Sequence, residues 1–361
     1  MKKILTLIGL MIIVACSVMV VVSCNNTDWG EGDGDPSLLE FELSEDGTYY
    51  SVAGIGDYVG THLVIPEEHN GLPVKEIGIY AFSRRSESNY DIEALSALKA
   101  ITISDSVTSL GFSVFAGSSI ERINIGSGLS TIRDGAFVEA ANIAPVSLRE
   151  INVSKDNQSY MSKSGVLYSK DGSELIKYPP QKTATRFRIS NKVKIISEYA
   201  FEEAANLRSV KIGKNVASIG ESAFDGAGIR KIKIPNSVKV VDVCAFTRCE
   251  NLKKVKIGSG LTEISPLTFL LCESLEKIVI PQNIKAIRGG AFSNCEKLKT
   301  VFYEGNKEEW DKVEIDAKVN LVNYEDVFPD DTQIYTYSKK RPGNEGNYWR
   351  YIFWVPAVWK N

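Results

Sequence analysis

Residues 229–249 read Ile-Arg-Lys-Ile-Lys-Ile-Pro-Asn-Ser-Val-Lys-Val-Val-Asp-Val-Cys-Ala-Phe-Thr-Arg-Cys, and this stretch decides the fold. Ile232 and Ile234 are spaced with the period of a strand, so both side chains point inward and Lys233 points out. Pro235 then turns the chain, because it has no N–H to give to a central ladder. A second apolar run holds Val238 and Val241, and Ala245-Phe246 closes the unit. Working outward, the frame recurs on both sides. Leu207, Val210, Ile212, Val216, Ile219 and Phe224 precede it. Leu252, Val255, Ile257, Leu261, Ile264 and Phe269 follow, then Leu275, Ile278, Ile280, Ile284, Ile287 and Phe292. Phe201, Phe224, Phe246, Phe269 and Phe292 are 23, 22, 23 and 23 residues apart, and Phe82, Phe115 and Phe137 are less regular earlier copies. A unit that short cannot bury its own apolar face, so successive units must stack as a solenoid. Aliphatics from about eight windings are expected to interlock in one continuous column.

The pattern Leu-x-x-Ile-x-Ile-Pro-x-x-Val-x-x-Ile-x-x-x-Ala-Phe-x-x-Cys resembles the BspA-like (Treponema-type) leucine-rich repeats of bacterial surface proteins. Ile229 to Cys249 follows it with Val241 at the second Ile position, and related copies span Leu63 to Tyr303. Val114 and Thr268 replace the Ala before Phe, and the gap of 33 from Phe82 to Phe115 implies an inserted loop around Ser83 to Leu95. Between Phe137 and Phe201, the runs Gly165-Val166-Leu167-Tyr168 and Leu175-Ile176-Lys177-Tyr178 flank Asp171-Gly172, which reads as a β-hairpin. The resemblance implies a bulkier repeat there rather than a ligand loop. Past Tyr303 the frame is lost. Trp310, Tyr335, Tyr337, Tyr348, Trp349, Tyr351 and Trp359 look like the terminal module of the same family, covering the open sheet edge and core end; stacking on sugar rings is the alternative use for such aromatics.

The chain starts with an address. Lys2 and Lys3 precede the apolar run Ile4 to Val22, and Val21-Val22-Ser23-Cys24 resembles a bacterial lipoprotein box, which implies cleavage before Cys24 and lipidation of its thiol. Anchoring of that kind holds a protein at a membrane without spanning it; an uncleaved transmembrane anchor over Ile4 to Val22 is the alternative reading. Residues 24–37 are acidic and glycine-rich and are expected to form a flexible tether. Their acidity also resembles the surface-export signal of Bacteroidetes lipoproteins. Glu31, Asp33 and Asp35 lack the twelfth-position ligand of a calcium loop.

Charge is distributed unevenly although the net formal charge is −3. Residues 25–70 hold eleven Asp or Glu and no Lys or Arg, whereas residues 207–300 hold sixteen Lys or Arg against eight Asp or Glu. Lys211, Lys233 and Lys256 take the outward slot between two inward aliphatics, and Lys231, Lys254 and Lys277 take the slot two residues earlier or its equivalent. By resemblance this strand lines the concave, ligand-facing side. The six lysines are therefore the candidate ligand-binding residues, for an anionic partner such as an acidic polysaccharide; a merely solvated face copied by repeat duplication is the competing reading.

Catalytic and metal chemistry is not supported. His62 and His69 are the only histidines, both expected near turns in solvent, and no nucleophile motif or Cys-x-x-Cys pair occurs. Cys249, Cys272 and Cys295 lie 23 apart and should stack as buried thiols, since disulfides between parallel rungs have poor side-chain geometry. The expected organisation is a signal peptide over 1–23, the tether over 24–37, a mainly β leucine-rich-repeat solenoid over 38–303 with an irregular insert at 150–190, and a C-terminal cap over 304–361. The expected role is non-catalytic binding or adhesion at the bacterial surface, needing no cofactor and no nucleic acid, toward an extracellular protein or glycan. The alternative is a glycan-capturing lipoprotein beside a nutrient importer.

Overall fold

The computed structural model describes residues 29–83, 89–133, 135–138, 147–316, 318–319, 322–323, 327–338, 346–352 and 355–358. The expected signal peptide and the lipidation candidate Cys24 lie outside them, as does Trp359. Among the described residues no helix is long and apolar enough to cross a membrane.

The chain winds as a leucine-rich-repeat solenoid, each turn laying one strand on the same face. On that face β1 (His62–Val64), β2 (Ala100–Ile103), β3 (Arg122–Ile125) and β4 (Glu150–Val153) form one parallel sheet. A meander follows: β5 (Tyr160–Lys163), β6 (Val166–Ser169) and β7 (Glu174–Lys177), each antiparallel to the next. Then come β8 (Arg186–Arg188), β9 (Ser209–Lys211), β10 (Lys231–Lys233), β11 (Lys254–Lys256), β12 (Lys277–Ile280), β13 (Thr300–Tyr303), β14 (Gln333–Tyr337), β15 (Tyr348–Ile352) and β16 (Val355–Val358) in a nine-stranded sheet. Short two-residue strands such as Ser218–Ile219 and Val240–Val241 pair on a second side.

Stacking is carried by the phenylalanines. Phe201, Phe224, Phe246, Phe269 and Phe292 stack in sequence with centroids 4.7, 5.0, 5.5 and 5.3 Å apart, and Phe328 continues the pile at 5.0 Å. The residue two before the ring is left-handed, with φ +49° at Ser222, +57° at Cys244 and +57° at Leu267. Such a conformation costs a non-glycine residue roughly 1–2 kcal/mol. It turns the chain so that the Phe amides donate to the next coil, from Phe224 N to Ala245 O at 2.8 Å and from Phe246 N to Thr268 O at 2.9 Å.

Three expectations need correction. The interior is not one continuous column but two clusters, one drawn from residues 39–167 and the other from 166–327. The meander divides them, since Leu167 of β6 enters the first while Val166 and Tyr168 enter the second. Both faces of β6 are thus buried. The expected loop at Ser83 to Leu95 contains a helix, Asn89–Ala97, and Leu95 and Leu98 pack into the first cluster.

The third correction concerns the tether. Residues 30–37 are docked, because Asp33 fills its carboxylate with donors from the first turn: Thr61 N and His62 N at 2.8 Å each and the Thr61 hydroxyl at 2.5 Å. Its own N–H donates to His62 O at 3.1 Å. The Thr61 hydroxyl first, then the His62 amide, hold the Asp33 carboxyl down at about 2. The folded value lies below the ordinary value near 3.9, so this clasp contributes fully above about pH 4 and is lost as pH falls toward 2. Pepsin digestion should therefore begin cutting residues 30–39 on going from about pH 4 to about pH 2, and in Asp33→Asn that segment should be cut equally at both. Equal resistance of the wild-type segment at both pH values would contradict the assignment.

Candidate ligand-binding face

The lysine slots follow from strand periodicity. In β10 the flanking Ile232 and Ile234 are 4% and 1% exposed, in β11 Val255 and Ile257 are 4% and 3%, and the lysines beside and between them are exposed. Parallel pairing sets Lys231 opposite Lys254, Lys254 opposite Lys277 and Lys233 opposite Lys256. Ser209 faces Lys231, which brings Lys211 into line with Lys233. All six candidates are thus brought onto one face in two files, with Lys277 half-buried.

Two further cations were not anticipated. Arg186 pairs with Ser209 and Arg188 with Lys211, so β8 begins both files with an exposed arginine. A third exposed file, Arg208, Arg230 and Lys253, runs beside them, linked by backbone bonds of 3.0 and 2.9 Å. Elsewhere arginines are neutralised across coils: Arg248 by Glu203 and Asp225 at 2.8 and 2.9 Å, Arg288 by Glu263 and Glu314 at 2.9 Å each. Lys211, Lys231, Lys233, Lys254 and Lys277 make no ion pair among the described residues. Neighbouring lysines on strands about 4.8 Å apart repel by about 0.8 kcal/mol per pair in water, a cost the fold tolerates and an anion would relieve.

The files have limits. In the N-terminal sheet the equivalent slots carry Thr102, Asn124 and Asn152, which hydrogen-bond in a row: Asn152 Nδ2 to Asn124 Oδ1 and Asn124 Nδ2 to Thr102 Oγ1, both 3.1 Å. His62 joins the row through Nε2, 3.0 Å from Thr102 Oγ1, and burial lowers the pKa of its imidazole. His69 stacks on Phe41 at 3.8 Å. Neither histidine is the free surface group expected. At the other end the file through Lys256 continues as Val279, Phe302 and Tyr335. There Phe302 and Tyr337 pack on Trp349, which is fully buried and donates its indole N–H to Tyr303 O at 2.8 Å. Trp349 is packing and leaves no face for a sugar.

Cys249, Cys272 and Cys295 are buried free thiols whose Sγ atoms donate to the carbonyls of Phe224, Phe246 and Phe269 at 3.1, 3.2 and 3.1 Å. Burial raises the pKa of the Cys249 and Cys272 thiols, so these two remain protonated donors. Among the described residues no group of three His, Cys, Asp or Glu could hold a metal.

A family model described as "BspA type Leucine rich repeat region" matches in six copies over residues 72–168 and 180–299. Solved structures similar to the chain include a leucine-rich repeat protein from Eubacterium ventriosum, 22% identical over 75% of this chain and 85% of that one, with a TM-score of 0.49. A leucine rich cell surface protein from Faecalibacterium prausnitzii is 22% identical over 81% and 100%, with a TM-score of 0.47. The pneumococcal vaccine antigen PcpA is 17% identical over 77% and 82%, with a TM-score of 0.47. No curated protein matches.

Proposed function

Because the chain belongs to the BspA-type leucine-rich repeat family, we propose that it is a non-catalytic recognition protein of the bacterial cell envelope whose strand face binds an anionic extracellular partner. The observation that carries this reading is the set of cations in register across β8 to β12, all exposed except the half-buried Lys277. Lipidation at Cys24 would hold the body at the outer membrane and face it outward; the short acidic segment after Cys24 and the lipoprotein-like residues before it support that placement. Adhesion is the role such a face serves best, since many weak contacts add along a rigid surface while each is screened by salt.

Reversing Lys211, Lys233 and Lys256 to Glu should abolish retention of the mature protein on immobilised heparin. The same three-charge change at Lys239, Lys285 and Lys297, exposed residues outside the strands of this face, should leave most of it. Equal losses in the two variants would mean that net charge, not this face, drives retention.

A further inference from the structure

The binding face is interrupted, and the interruption leaves one strand edge open. Strands β4 and β8 occupy the same place in successive turns and would pair in an unbroken solenoid. The meander enters between them and bonds only to β4: Ile151 N donates to Gly165 O and Val153 N to Ser162 Oγ, both at 3.1 Å. Among the described residues strand β8 has a single partner, β9. Thr185 O accepts from Arg208 N at 2.8 Å and Ile189 N donates to Lys211 O at 2.9 Å, so the odd-numbered residues direct their backbone groups toward β9. Alternation then aims the N–H and C=O of Arg186 and Arg188 at the opposite side, where no described strand pairs with them. Residues 183–186 and Arg188 are exposed and Phe187 is half-buried.

Unpaired edges recruit other strands unless they are covered or charged. Here the charge is selective. A second copy would set arginine against arginine, which is unfavourable across a strand pair, whereas acidic residues opposite Arg186 and Arg188 are favoured. The half-buried Phe187 ring asks for an apolar residue between those two acids.

We propose that the partner contributes an extended acidic polypeptide segment, alternating acidic and apolar residues, which adds to β8 as a new strand of the nine-stranded sheet. The inference rests on the reading of this face as the binding face and names the partner's chemistry. Main-chain bonds to Arg186 and Arg188 would supply the pairing, and the two guanidinium groups with the lysine files beyond would supply the charge selection.

Proline tests it, because at position 188 proline removes only the N–H that faces the open edge and spares the ladder to β9. Binding of a fluorescent peptide of alternating Glu and Val would be measured on the full chain, with a peptide of equal composition in which Glu and Val are grouped in blocks as the comparison. Arg188→Gln should weaken the alternating peptide a few-fold, and Arg188→Pro should weaken it about tenfold further through the lost backbone bond. Heparin retention should be the same for both variants, which separates strand addition from the charged-face reading. Hydrogen exchange at Arg186 and Arg188 should slow when the peptide is added to the wild-type chain. Equal weakening by Gln and Pro, or equal affinity for the block peptide, would overturn strand addition even if the Lys211, Lys233 and Lys256 reversals still abolish heparin binding.

Discussion

Replacing Phe224 by Ala is expected to cost about 3–5 kcal/mol of stability, with the damage confined to the coils on either side. The ring is fully buried and stacks within 3° and 9° of parallel on Phe201 and Phe246. Its removal leaves a cavity that a repeating backbone cannot collapse, since the coil spacing is fixed by the bonds from Phe201 N to Ala223 O and from Phe224 N to Ala245 O. Stability in a solenoid is close to a sum of nearest-neighbour terms. Hydrogen exchange should therefore accelerate around residues 201–246 and stay near wild-type in the first core. Uniform acceleration through both cores would contradict the stacking account.

The second large effect is expected at Asn157, which pins the meander to the first core. Its side chain is fully buried and has all four hydrogen-bonding positions filled. Nδ2 donates to Gly126 O and Leu129 O at 2.9 Å each, and Oδ1 accepts from Ser159 N and Tyr160 N at 2.9 and 2.7 Å. Asn157→Ala leaves two donors and two acceptors without partners, and at roughly 1–3 kcal/mol for a stranded buried group the loss should be several kcal/mol even after partial rewetting. Asn157→Asp should also be damaging, because a carboxylate cannot donate to two carbonyls. Thermal melts of both variants check this, and a Tm within a few degrees of wild-type for Asn157→Ala would remove the pin from the account.

Much of this architecture could be read before any coordinates, for a physical reason. Aliphatics and phenylalanines repeating every 22 or 23 residues can satisfy their burial only by stacking, so the winding and the outward lysines were legible from spacing. What escaped was whatever breaks the count or departs from the aliphatic frame. Arg186 and Arg188 belong to the same files as Lys231 and Lys233 and keep the period, 23 residues before Ser209 and Lys211, but Phe187 takes the place of an aliphatic and hides the strand. Phe328 continues the ring stack after an irregular stretch of chain. Asp33 looks like its acidic neighbours in composition, and only its carboxylate's reach to Thr61 and His62 distinguishes a docked segment from a tether. Thr102 and Asn124 keep the period and Asn152 follows 28 residues later, but all three are polar, so an apolar frame passed over them.

Cations on β8 to β12 make one surface only if those strands lie side by side in the register Arg186, Ser209, Lys231, Lys254, Lys277. Electron spin resonance between nitroxides at Arg186→Cys and Lys277→Cys measures that directly. Four strand steps place the two backbones about 19 Å apart, so a single narrow distribution near that value, widened by the label tethers, is the expected result. A broad distribution, or one centred beyond about 30 Å where unstacked strands would put it, would contradict the account.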